Sequence, residues 1–184
     1  MATKRLIVDG FGQVELNNVA FRRDGRIVAQ CAPDATDFAS IPVENGMILA
    51  VDETARTVKL PTDASLPLAL VYSTEHIYDE RTPGLKNFRL NGTNDFLPRL
   101  GYLDVGDKWH TNTICYSDAE FTSEALLIEA LKKCRETAVY GKPDASGAVC
   151  VTATAPDSGL TLKVVEYGTM PDGQKGVKFH VLKV

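Results

Sequence analysis

Side chains suited to acid–base or metal chemistry near neutral pH are few in this chain of 184 residues, and they are scattered. Its three histidines, His76, His110 and His180, lie in separate segments. None has a second ligand at metal spacing, and the HExxH pattern of zinc proteases is absent. The four cysteines are Cys31, Cys115, Cys134 and Cys150, and no two lie within three residues of one another. That excludes zinc-knuckle and thioredoxin-like spacing. In a reducing compartment such cysteines are expected to be small buried hydrophobes. Cys150, between Val149 and Val151, falls in a predicted strand, and Cys134 falls in a predicted helix. Spacing alone leaves two alternatives open: a disulfide, and a zinc site assembled in three dimensions from a histidine and distant cysteines.

Nucleophile motifs are no stronger. Gly-x-Ser-x-Gly does not occur. Ser73-Thr74-Glu75-His76 brings a hydroxyl, a carboxylate and an imidazole together in sequence. Catalytic triads are built from distant segments, so a surface turn is the expected reading. Gly101 and Gly106 have phosphate-loop spacing, but Asp107 stands where the lysine should be, and a carboxylate repels phosphate. The acidic pairs Asp34/Asp37, Asp52/Glu53, Asp79/Glu80 and Asp118/Glu120 fall in predicted turns and do not reproduce a calcium loop. Asn91-Gly92-Thr93 fits a glycosylation acceptor, which has meaning only in a secreted chain. The expectation is a protein that is not an enzyme, with no catalytic residue, no cofactor and no metal. An enzyme with an unusual site would need a closed pocket holding His76 or His110 beside a carboxylate.

The elements around these residues are those of a folded β protein. Apolar residues make up 44% and charged residues 24%, values that argue against wholesale disorder. Net charge is −4, and basic residues cluster only in pairs: Lys4-Arg5, Arg22-Arg23 and Lys132-Lys133. Without a basic stripe, no nucleic-acid partner is expected. Leu6-Ile7-Val8 is too short for a signal peptide, and no apolar run reaches the ~20 residues of a membrane span. A protein made in a cytoplasm, with no membrane partner, is expected.

Residues 4–32 read as a short strand followed by a hairpin, with Asp24-Gly25 at the turn between β-prone runs from Val19 to Cys31. A lone hairpin is barely stable, so this segment must lie on the rest of the chain or on another chain. Residues 32–40 look like an irregular linker, which divides the chain into a segment 1–40 and a β-rich main domain 41–184. In the main domain, Met47–Val51, Thr57–Leu60, Leu66–Tyr72, Lys108–Cys115, Ala148–Thr154, Leu160–Tyr167 and Val177–Val184 are predicted strands. Residues 74–104 read as an ordered excursion pinned by scattered apolar residues. One helix is predicted near 122–137, capped by Thr122 or Ser123. The predicted fold class is mainly β: a small barrel or sandwich of short antiparallel strands with one α-helix, plus an N-terminal β-hairpin or arm.

The order of segments from Val43 onward resembles small head proteins of tailed bacteriophages. It is carried by ENGMILAVD (44–52), LALVYSTEHIYD (68–79), LDVGDKWHTNTI (103–114) and the ending LTLKVVEYGTMPDGQKGVKFHVLKV (160–184). Such proteins are similar in class to capsid decoration, or head cement, proteins. The resemblance implies a structural virion protein on the capsid exterior, with the major capsid protein as partner and a homo-trimer as a plausible assembly. An N-terminal strand that adds to a sheet edge of the shell would supply attachment, with Leu6, Ile7, Val8, Phe11, Val14 and Leu16 as candidate capsid-contact residues. On that reading, a chain without residues 2–30 still folds but no longer occupies capsids; otherwise these strands belong to the main sheet. A competing reading is a carbohydrate- or ligand-binding β-module of a fibre or baseplate, with stacking aromatics drawn from Tyr72, Tyr78, Tyr102, Trp109, Tyr116 and Tyr140.

Overall fold

The structure, a computed structural model, describes residues 3–6, 12–28, 30–73, 89–90, 97–171 and 173–184. Most strands fall into two open, mixed sheets. The larger has eight strands, in the order β1 (Thr3–Arg5), β12 (Ile114–Ser117), β14 (Val149–Thr152), β13 (Tyr140–Pro143), β15 (Thr161–Thr169), β16 (Lys175–Lys183), β11 (Lys108–Thr111) and β2 (Val14–Asn18). The second has six: β3 (Ile27–Val28), β10 (Leu100–Tyr102), β8 (Leu68–Val71), β6 (Ile48–Asp52), β7 (Thr57–Lys59) and β4 (Ala32–Pro33). Two more strands, β5 (Val43–Glu44) and β9 (Arg89–Leu90), form a small antiparallel pair. Pairing is antiparallel except for β12 with β14 and β4 with β7. The arrangement is that of a β-sandwich and not of a closed barrel, because β1 and β2 end the large sheet without meeting.

Strand alternation divides the apolar side chains between two cores. Ile114 and Tyr116, Val149 and Val151, Leu162 and Val164, and Val177 and Phe179 turn to one face of the large sheet and form the main core with Trp109. On β6 and β8, Ile48 and Leu70 stand directly opposite each other and join that core, while their neighbours Leu49 and Ala69 turn to the second core. Helix α2 (Glu124–Lys132) closes the main core with Leu127 and Leu131, spaced one turn apart. Its N-cap is Ser123, whose side chain accepts the Leu126 N–H, and Glu124 lies in the first turn, where the helix dipole favours it.

Two local expectations are corrected. Asp24-Gly25 does not turn a hairpin. Ala20–Asp24 is a single helical turn, α1, and Gly25, at φ 71°, caps it through its N–H to the Phe21 carbonyl. A left-handed glycine serves either structure. Here the choice follows the burial of Phe21, which is fully enclosed, 5.0 Å from the Tyr72 ring and against Gly101. Asp107, out of place for a phosphate loop, has a structural task instead: its carboxylate accepts the Ala20 N–H at 2.6 Å and the Asp104 N–H at 2.9 Å.

The predicted strand Lys108–Cys115 is two strands. The ladder breaks at Asn112-Thr113, where the Ile114 N–H returns to the Asn112 carbonyl at 2.9 Å. The Asn112 side chain serves both flanks of the break, accepting the Gln13 N–H and donating to Gln174, each at 2.7 Å. Side-chain parity shifts there, so Trp109 faces the main core while Cys115 faces away from it.

The N-terminal segment is built into the sheets. β1 pairs with β12 and β2 with β11. Leu6, Val14 and Phe21 belong to the main core, and Val28 and Phe38 to the second. The irregular residues 32–40 thus carry a core phenylalanine and the strand β4. Within the predicted excursion, Leu100 and Leu103 are buried and Leu97 is exposed, while 74–88 and 91–96 lie outside the described residues.

Candidate functional site

Four adjacent strands set a polar row across the face of the large sheet that turns away from the main core. Arg5 on β1 stands opposite Cys115 on β12, Cys115 opposite Cys150 on β14, and Cys150 opposite Lys142 on β13. Residues paired in this way share a face with their Cβ atoms about 5 Å apart. Both cysteines are unpaired thiols, 2% and 4% exposed, yet they join neither large core; Ala148 is the third member of their small cluster. Cys31 and Cys134, by contrast, lie in the second and the main core, as small hydrophobes do.

The turn after β13 adds a carboxylate. Residues 144–147 form a tight turn, with the Asp144 N–H on the Ala148 carbonyl at 2.9 Å and the Gly147 N–H on the Asp144 carbonyl at 2.8 Å. Gly147 sits at φ 83°, as the left-handed position of such a turn requires. The Asp144 carboxylate folds back over the row. Its Oδ2 accepts from Ser146 N at 2.9 Å, Ser146 Oγ at 2.6 Å and Thr3 Oγ1 at 3.2 Å. Ligand atoms of Cys115, Cys150 and Asp144 all lie within 4.8 Å of one another.

Electrostatics makes the thiols unequal. The hydrogen bond with Cys150, together with burial, pushes the Cys115 thiol far up, so it keeps its proton. The same hydrogen bond pulls Cys150 down, with help from the Lys142 ammonium and against burial and Asp144.

Arg5 links this row to a buried polar seam. Its guanidinium donates to Glu44 Oε2 at 2.5 Å, and the same oxygen accepts the Gly12 N–H at 2.9 Å. Glu44 is 1% exposed. Thr113 Oγ1 donates to the Asn45 carbonyl at 2.6 Å, and Thr111 Oγ1 to the Gln13 carbonyl at 2.5 Å. There is no room here for side-chain branches: a Cβ on Gly12 would lie 2.5 Å from Thr113 Oγ1 and 2.7 Å from the Asn45 carbonyl.

Residues singled out from sequence fall elsewhere. Leu6 and Val14 are buried in the chain's own core and Leu16 is half-buried against it, while Ile7, Val8 and Phe11 lie outside the described residues. Of the aromatics, Trp109, Tyr72 and Tyr116 are buried, Tyr102 donates its hydroxyl to Glu53, Tyr140 is half-buried, and Tyr78 is outside the described residues. His110 is buried in β11, and its Nε2 has no hydrogen-bond partner among the described residues. His180 is half-buried on β16, and His76 lies outside the described residues. A shallow apolar groove of about 280 Å³ runs beside α2, lined by Phe121, Leu126, Ala130 and Val139 among others.

The Cys115–Cys150–Asp144 grouping is not legible in the sequence because its members are 29 and 35 residues apart, or six across a turn, and because alternation counted straight along Lys108–Cys115 puts Cys115 on the face of Trp109. Comparison with protein-family models, with characterised proteins and with solved structures returns no match.

Proposed function

We propose that this chain is a non-enzymatic structural protein of a tailed-phage virion that binds the outer surface of the major capsid protein shell and stabilises it. The observation that carries the reading is the position of β1. It is a three-residue strand at the edge of an eight-stranded sheet, its side chains exposed, paired on one side to β12 and on the other to no described strand. A strand so placed can be extended by a strand of another protein through backbone hydrogen bonds. The resemblance of residues 41–184 to head decoration proteins supports the same reading. So does the commitment of the central aromatics to packing, since Trp109 and Phe179 lie 6.0 Å apart inside the main core rather than beside a cleft.

The test is co-sedimentation with mature capsids of the phage that encodes the chain. Saturable binding is expected, and removing residues 2–4, which spares Arg5 and Leu6, should weaken it without unfolding the protein. Failure of the intact chain to bind capsids contradicts the function, and undiminished binding by the shortened chain contradicts β1 as the route.

A further inference from the structure

We propose that Cys115, Cys150 and Asp144 form a binding site for a thiophilic divalent cation of the zinc class. The grouping has the donor chemistry and the compactness that such an ion requires. Two thiols and one carboxylate bring their ligand atoms within 4.8 Å of one another. A tetrahedral zinc with Zn–S of about 2.3 Å and Zn–O of about 2.0 Å sets its ligand atoms roughly 3.5–3.8 Å apart, so small side-chain rotations close the shell. Sulfur donors select against magnesium and calcium, which take oxygen.

Three further features separate this grouping from two cysteines that merely fill space. Its backbone is fixed: Cys115 and Cys150 are register partners on adjacent parallel strands, and Asp144 is held in a tight turn. Its carboxylate is oriented, because Ser146 and Thr3 donate to Oδ2 and, among the described residues, leave Oδ1 for another ligand. Such outer partners fix a metal ligand in position. Its charge is balanced: two thiolates and a carboxylate around a divalent ion leave one net negative charge, and Lys142 stands beside Cys150 on β13, while Arg5, on the other side of the row, is already paired with Glu44. Binding balances as one cation taken up, two Cys–S–metal bonds and one carboxylate–metal bond formed, and two thiol protons released to solvent. Asp144 is half-buried, so a water from that side fills the fourth position. A disulfide would instead require an oxidant to remove two electrons.

The intact chain, reduced and stripped of metal, is titrated with Co²⁺ and then with Zn²⁺. The expected result is one Co²⁺ per chain, with a thiolate-to-cobalt charge-transfer absorption and tetrahedral visible bands that Zn²⁺ abolishes, and two protons released per ion. Asp144→Asn, in a surface turn, is expected to weaken binding by about tenfold or more. Cys150→Ser should remove the tight site, while the Cys31→Ser/Cys134→Ser double variant should retain it. The proposal is overturned if the intact chain gives no stoichiometric thiolate–cobalt absorption. It is equally overturned if the absorption survives Cys150→Ser, is lost in the double variant, or is indifferent to Asp144→Asn.

Discussion

At the scale of single residues, close approach and charge set what each position tolerates. Gly101 on β10 is the clearest case of close approach. A Cβ there would lie 2.1 Å from the Phe21 ring, which is fully buried and has no room to retreat. Gly101→Ala is expected to cost about 1–3 kcal/mol, read as a lower urea midpoint with unchanged slope. Charge governs His180. Burial, then Lys108 and Lys163, its cross-strand neighbours, lower its pKa below the ordinary 6.5. The folded chain therefore binds this proton less readily than the unfolded chain. Its contribution is fully present above the unfolded pKa and is lost as pH falls through 6.5 toward the depressed folded value. Urea midpoints of His180→Gln should fall less steeply than those of the native chain as pH drops through that window.

At the scale of elements, short-range chemistry was the more legible part. The α2 helix follows from its apolar spacing and Ser123, and Ser123→Ala should cost about 1 kcal/mol in thermal or urea unfolding, because the Leu126 N–H then loses its acceptor. Strands β6, β7, β15 and β16 sit where alternation and turn residues put them, and Pro61 follows the end of β7. Two elements misled for identifiable reasons. Asp24-Gly25 supplies a left-handed glycine, which local sequence cannot assign to a hairpin or to a helix end; buried Phe21 decides it. Lys108–Cys115 carries continuous β-propensity through Asn112-Thr113, and the side-chain bonds of Asn112 to Gln13 and Gln174, 99 and 62 residues away, help to fix the break. That break is also why the cysteine grouping stayed hidden. Parity counted straight through it assigns Cys115 to the wrong face, and the parallel pairing of β12 with β14 is a long-range choice that no local signal encodes.

At the scale of the whole molecule, the two sheets share their cores with the N-terminal segment. Removing residues 2–30 takes away Leu6, Val14 and Phe21 from one core and Val28 from the other, together with both edge strands of the large sheet. The truncated chain is expected to lack a cooperative thermal transition and near-ultraviolet circular dichroism, whereas a separable arm would leave both intact. The proposed attachment to a capsid would therefore use surfaces that the fold leaves free, such as the backbone edge of β1, and not side chains such as Leu6 and Val14.

On the proposal that a tailed phage encodes this chain, cryo-electron microscopy of mature particles of that phage tests the role most directly. The account predicts density with the two-sheet profile on the outside of the capsid lattice, with β1 toward the shell. Particles whose capsid exterior lacks that density would contradict it.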